Sequence, residues 1–326
     1  MAGIKDVAKK AGVGVGTVSR VINHTGYVAE DTRKRIEAAM QELNYTPNEL
    51  ARNLYRNKTG IVAIIIPDLE HPFFAAFCKA AELELYQLGY KTMVCSTVEI
   101  GNREQEYLDM LQRNIVDGII TGAHTLNDEA YQKVGKPIVA FDRDLGPDIP
   151  LISSDHKQGG RLAAEKLLQN GCTRIMTTTE EYFTNSPFVE RYSALTEVLR
   201  QNGKELVIIK TAWNRFEFDY FYDTMRQYLE MYPDIDGIFT EDMTAICCVN
   251  ILKNMGRRVP EDVRVIGYDA TLITRMAQPV ITAVRQDITA LARACARTVV
   301  KRINGESGIA MRQVYGVDLQ VGGTTL

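Results

Sequence analysis

In AGVGVGTVSRVIN (11–23) three glycines alternate with valines ahead of a helix-like run. The chemistry to test is phosphate binding. A dinucleotide fingerprint needs glycines at the first, third and sixth positions of GxGxxG, after a strand, so that the backbone can approach a pyrophosphate at a helix N-terminus. Counted from Gly12 the sixth position is Thr17, and from Gly14 it is Ser19. No Gly-Lys pair is followed by Ser or Thr, so the GxxxxGK[ST] loop is missing as well. Upstream, IKDVAKKA sets Ile4, Val7, Ala8 and Ala11 at helical spacing with Lys5, Lys9 and Lys10 off that face. The glycines therefore join two helices. Elsewhere, the six cysteines (Cys78, Cys95, Cys172, Cys247, Cys248 and Cys295) form no CxxC pair, and there are four histidines. Free, mostly buried thiols are expected rather than a zinc site or a disulfide framework. No nucleophile, base and orienting group assemble in the sequence, so no catalytic residue, metal or cofactor is expected.

The elements around this stretch divide the chain. TVSRVINH continues as a second short helix, and EDTRKRIEAAMQELNY as a third with Ile36, Met40 and Leu43 on one face. Pro47 stops it, and NELARNLYRNK follows as a short amphipathic piece. From Ile61, apolar runs such as IVAIIIP, KTMVCST and PIVAFD alternate with amphipathic helices, and after LISSD the alternation restarts through GGRLAAEKLLQNG to VRVIGYD. The expected class is α/β: an all-α head followed by two tandem doubly wound subdomains with mainly parallel sheets. Ligands in such folds bind at the carboxyl ends of strands. Residues 1 to 60 carry a charge of +4 and the remainder −7, within a total of −3, so only the head is suited to a polyanion. With no apolar signal core and no run of membrane-spanning length, a cytoplasmic protein with no membrane partner is expected.

DVAKKAGVGVGTVSRVIN, TRKRIEAAMQELNYTPNELARNL, and a doubly wound body ending in VIGYD and TAVRQD closely resemble the lactose-repressor (LacI/GalR) family of bacterial transcription regulators, over essentially the whole chain. VDGIITGAH, FDR and SSDHKQGG further resemble sucrose-operon repressors. The resemblance implies a helix-turn-helix head over 1–46, a hinge helix and linker over 47–60, and a dimerising, sugar-binding-protein-like core over 61–326. Its N-subdomain would comprise about 61–155 and 286–312, and its C-subdomain about 156–285 and 313–326. It further implies that Val15, Gly16 and Arg20 face bases, that Thr17 and Ser19 face phosphates, and that Asn23 lies with them on the DNA-reading helix. Arg20 stands out because a guanidinium can bond O6 and N7 of guanine together; the alternative is a phosphate contact or a solvated face. Gly14 stands where the family usually has a capping Ser, and Ala29 likewise ahead of the third helix. Asn48, Ala51 and Leu54 are implied to face the minor groove, with Leu54 as a wedge at a central base step or, alternatively, packed on its own domain.

For the core, the resemblance implies effector contacts at Asp142, Arg191, Trp213, Glu241 and Asp269, with Asp68, Phe73, Phe74, Gln286 and Ile288 nearby. Carboxylates and a guanidinium can make paired hydrogen bonds to vicinal hydroxyls, and tryptophan offers an apolar face to a pyranose. Singly, Asp269 could cap a turn and Trp213 could be core. Glu241 replaces a common amide and His71 an Asn, which leaves the sugar's identity open. The function expected is a repressor of a carbohydrate-utilisation operon, bound as a homodimer to palindromic double-stranded operator DNA and released by a sugar or sugar phosphate. The chain ends at VGGTTL without an apolar heptad tail, so a coiled-coil tetramer is not expected. Three rivals share features with it: a solute-binding protein, a corepressor-dependent regulator, and a sugar-processing enzyme with a DNA module.

Overall fold

The computed structural model describes residues 2–23, 25–46, 58–97, 103–123, 126–180, 186–212, 215 and 217–326. The chain falls into two units, Met1–Gly60 and Ile61–Leu326. In the first, α1 (Ile4–Ala11), α2 (Val15–Asn23) and α3 (Glu30–Glu42) close on one another through Val7, Ala8, Ala11, Val18, Val21, Ile36 and Ala39. Ile4, Met40 and Leu43 pack at the edge of that core. Gly12 ends α1 with φ 66°, a left-handed conformation that only glycine adopts without a steric cost. Val13 N then donates to Ala8 O at 3.0 Å, and Gly14 O accepts from Thr17 N and Val18 N to open α2. The glycine-rich stretch is thus one C-cap and one N-cap back to back.

The second unit contains two six-stranded sheets. One is built from β1 (Ile61–Ile66), β2 (Lys91–Ser96), β3 (Gly118–Thr121), β4 (Ile138–Phe141), β5 (Leu151–Ser154) and β11 (Arg312–Tyr315), in the order β11-β5-β4-β3-β1-β2, all parallel. Alternate residues of β1 serve opposite faces, as the period of two requires. Val62, Ile64 and Ile66 pack with α4 (Pro72–Gln87) and α12 (Ile288–Ile303), while Ala63 and Ile65 pack with α5 (Arg103–Gln112) and α6 (Asp128–Gln132). Burial on both faces is why the strand reads as an unbroken apolar run.

The other sheet has the order β12-β10-β9-β8-β6-β7, from β6 (Arg174–Glu180), β7 (Glu205–Thr211), β8 (Gly237–Phe239), β9 (Arg264–Asp269), β10 (Thr282–Gln286) and β12 (Val317–Gln320). It is parallel except for β12, which runs antiparallel to β10. One face carries α7 (His156–Gln169) and α8 (Glu190–Gln201), the other α9 (Phe218–Met231) and α10 (Asp242–Asn254), with α11 (Leu272–Met276) beyond β9. The chain passes between the sheets at Asp155, Asp287 and Gly316. The last passage corrects the expected division at 312/313, because β11 pairs with β5 before β12 turns to β10. Among the described residues, no helix is long and apolar enough to cross a membrane.

Candidate functional site

On α2, Val18 and Val21 point into the head, and the helical turn between them leaves Val15, Gly16 and Arg20 exposed on the opposite side. Thr17 and Ser19 are half-buried, and Asn23 Nδ2 donates to Ser19 Oγ at 3.1 Å, which ties the helix C-terminus to the same surface. Neither Gly14 nor Gly16 meets any atom within 4 Å of a built Cβ, so the exposed side of this helix has room at both positions. The helix entry is capped only by backbone. Asn48, Ala51, Leu54 and Trp213 lie outside the described residues.

In the core, most of the expected effector positions are strand termini or the residues just after them. Asp142 follows β4, Glu241 follows β8, Asp269 ends β9 and Gln286 ends β10, while Asp68 lies two residues beyond β1. Asp142 (φ 49°), Asp269 (φ 102°) and Ala270 (φ 52°) hold a left-handed backbone that costs a non-glycine residue energy and is retained where surroundings over-determine it. From α8, the buried Arg191 brings Nη2 to Glu241 Oε1 at 2.8 Å and to Tyr192 Oη at 3.0 Å. Its guanidinium lies 4.4 Å from the Tyr268 ring centroid and 4.9 Å from that of Tyr192. Burial alone would lower the pKa of Arg191, but Tyr192, Glu241, Tyr268 and Asp269 together hold it above its usual value. Gln286 Nε2 donates to Asp269 Oδ1 at 2.6 Å. Asp242, in the first turn of α10, accepts from Thr271 N and Oγ1, both at 2.7 Å.

Burial pushes Asp269 well above the carboxylate range, reinforced by Asp242 beside it. Asp242 itself is pushed up to about 7 by burial, against the Thr271 hydrogen bonds. His71, at the N-cap of α4 in the first layer, is held below its usual value by burial, while Glu241 and Asp68 pull the other way. Acidic groups from both layers, Asp68 and Glu241, therefore lie close enough to act on one imidazole.

Two features of this site were not legible beforehand. His156 Nε2 lies 2.9 Å from Asp142 Oδ1 and its Nδ1 lies 2.8 Å from Tyr268 Oη, so one buried ring joins the first layer to the second. Next to Asp142, the buried Arg143 bonds Glu104, Asp128 and the carbonyls of Ala123 and Leu126, which pins the turn after β3. Phe73 corrects its expected role: it stacks on Phe77 and Phe141 inside the α4 core, and of the pair only Phe74, edge-on to Phe73 and beside His71, remains half-exposed. Ile288 packs against the same core from the start of α12. Among the described residues no three His, Cys, Asp or Glu side chains converge as metal ligands.

Residues 3–48 match the family model described as bacterial regulatory proteins, lacI family, and residues 164–325 match that of the periplasmic binding protein-like domain. The sucrose operon repressor of Streptococcus mutans serotype c is 36% identical over 310 residues, covering 93% of each chain. The ribose operon repressor of Halalkalibacterium halodurans is 35% identical over 304 residues, covering 93% of this chain and 91% of that protein. Among solved structures, a transcriptional regulator CelR–cellobiose complex superposes with a TM-score of 0.73 at 29% identity, covering 99% of this chain and 100% of the other. A lac repressor dimer bound to operator and an anti-inducer has the same fold, with a TM-score of 0.87 at 24% identity over 100% and 99% of the two chains.

Proposed function

We propose that this chain, which belongs to the lacI family of bacterial regulatory proteins, represses a carbohydrate-utilisation operon and responds to a small sugar in its core cleft. The observation that carries the ligand reading is Arg191, laid over Tyr268 and paired with Glu241 at the ends of second-layer strands, close enough for its charge to act on His71 of the first. A fixed guanidinium beside carboxylates is what a ring of hydroxyls requires, because each hydroxyl can both donate and accept. Relatives named for sucrose, ribose and cellobiose support the class of ligand. The exposed face of α2 with Arg20 is the proposed base reader, and two copies on a palindrome would double its contacts. Exposed Leu83 and Tyr86 on α4, and Leu272 and Met276 on α11, offer apolar surface for the second copy. The protein would act in the cytoplasm, where its DNA is. The relatives are regulators, which argues against the enzyme, and the matched head argues against a transport protein.

The test has two stages. Binding sites selected from random DNA by the full chain should be palindromic, and the binding should weaken steeply with salt, with a slope of about −0.9 per neutralised phosphate. A panel of sugars should then change the affinity for the selected site. Release on addition identifies an inducer and tightening a corepressor; a panel that binds the core without altering DNA affinity would defeat the regulatory reading.

A further inference from the structure

We infer that the cleft takes an unphosphorylated polyhydroxy ligand and discriminates against phosphate esters; this rests on the carbohydrate reading above and narrows it. The strongest charges acting on the buried His71, Tyr268 and Asp269 are those of Arg191 on one side and Asp68, Asp142, Glu241 and Asp242 on the other. Arg191 is the only cation among them. It is already paired with Glu241 through Nη2 at 2.8 Å and stacked against Tyr268, and its buried Nε has no partner. A single guanidinium already committed to a carboxylate can serve hydroxyl oxygens one at a time, whereas a phosphate dianion is ordinarily gripped by an uncommitted guanidinium fork or several cations. The neighbouring Arg143 provides no substitute, because its guanidinium is turned into the first layer toward Glu104, Asp128 and two carbonyls. Arg285, beside Gln286, is paired with Asp318.

The other common phosphate seat is a helix N-terminus, whose free N–H groups attract anions. Here those seats carry the protein's own carboxylates. Asp155 accepts from Gln158 N at the start of α7, and Asp287 accepts from Ala290 N at the start of α12. Glu241 and Asp242 occupy the N-cap and first turn of α10, while α4 opens on Pro72 and so has one free N–H fewer than an ordinary helix start. The upward shifts of Asp242 and Asp269 fit the same balance, since burial and neighbouring acids outweigh the available positive charge. Gln286 keeps Oε1 buried and without a partner, a neutral acceptor suited to a hydroxyl donor. A phosphate's negative charge would face Asp68, Asp142 and Glu241 with one committed arginine to offset it, while a neutral polyol would supply the donors that carboxylates and amide oxygen accept.

Titration calorimetry on the full chain with matched pairs tests this: sucrose against sucrose 6-phosphate, ribose against ribose 5-phosphate, and inorganic phosphate alone. Any free sugar that binds should do so about 100-fold more tightly than its phosphate ester. Inorganic phosphate should show no saturable binding. Glu241→Gln, which removes a carboxylate and releases Arg191, should narrow the sugar-to-ester gap by about tenfold. An ester bound as tightly as its sugar, a gap unchanged by Glu241→Gln, or saturable phosphate binding lost in Arg191→Ala would each overturn the inference. If neither member of any pair binds, the carbohydrate reading fails instead, and the inorganic phosphate measurement still decides whether the cleft rejects anions.

Discussion

Asp242 is buried at the first turn of α10, where its carboxyl is pushed up to about 7. In the unfolded chain an aspartate titrates near about 3.9. Between those values the folded state keeps a proton that the unfolded state has released, so this group's contribution is fully present below about 3.9 and is lost as pH rises to about 7. Asp242→Asn retains an oxygen acceptor for Thr271 and cannot titrate. Its melting temperature relative to wild type should therefore climb between pH 5 and pH 8 in scanning calorimetry, whereas a constant difference would mean that Asp242 ionises as it does when unfolded. On the head, Arg20 is exposed on the side of α2 opposite Val18 and Val21. Arg20→Ala should cost about 1 to 3 kcal/mol per half-site and relax selectivity at one guanine. Competition with random DNA checks this, since an equal loss on both would assign Arg20 to the phosphate backbone. Arg191, Glu241 and Asp269 were named through the family resemblance, and the structure brings them together, but the His156–Tyr268 contact joins positions 112 residues apart and has no local signal. Phe73 and Phe74 are adjacent, and only the roughly 100° turn per helical residue, fixed by how α4 docks, decides which ring enters the core.

At the scale of elements, α7 approaches α8 and β9 more closely than side chains allow. A Cβ on Gly160 would lie 2.0 Å from the Arg191 carbonyl oxygen, and one on Gly159 would lie 2.7 Å from Tyr268 Oη. The HKQGG segment thus has its glycines where α7 meets the start of α8, and its histidine where the ring can reach Tyr268. Gly160→Ala must push α8 away, so a loss of about 2 to 3 kcal/mol is expected in urea unfolding. The same shift would move Arg191 and weaken sugar binding. A variant with wild-type stability would show that the helices yield without cost. The head offers the opposite case. Ala29 stands at the N-cap of α3 with no side-chain hydrogen bond, so Ala29→Ser should stabilise that helix by about 1 kcal/mol. Slower hydrogen exchange of the α3 amides in the full chain would register the gain. Legibility varies among elements for similar physical reasons. β1 and β4 are buried on both faces and read as continuous apolar runs, and the glycine-rich turn declares itself by what precedes it. The four-residue strands β11 and β12 flank Gly316 and change sheets there, a choice made by the β5 and β10 edges and not by their own composition.

Across the whole core, three chain passages join the two sheets, at Asp155, Asp287 and Gly316, and few covalent links leave the angle between the layers to non-covalent contacts. The Asp142–His156–Tyr268 bridge is such a contact: its carboxylate ends β4 in the first layer, its phenol belongs to β9 in the second, and the ring between them is buried. A sugar held by Arg191 and Asp269 from one layer and Asp142 from the other would act on the same angle, and it can shift the equilibrium only by its difference in affinity for the two conformations. Inverting a 1:99 population requires a ratio of about 10⁴. Arg191→Ala and Asp269→Ala should therefore bind the selected DNA as wild type does and lose the response to ligand. His156→Ala has a different expected signature, because it removes a constraint on the angle without removing a direct ligand group. Hydrogen bonds to a charged partner contribute about 1.5 to 3 kcal/mol, so losing the bridge should change the ratio of the two ligand-free conformations by about tenfold or more. Spin labels on α5 and α9 should report a broadened interlayer distance in the ligand-free variant, and the ratio of DNA affinities with and without sugar should shrink while the sugar still binds. A distance distribution and an affinity ratio both identical to wild type would mean that the bridge follows the angle and does not set it, and control would then have to reside in the ligand contacts alone.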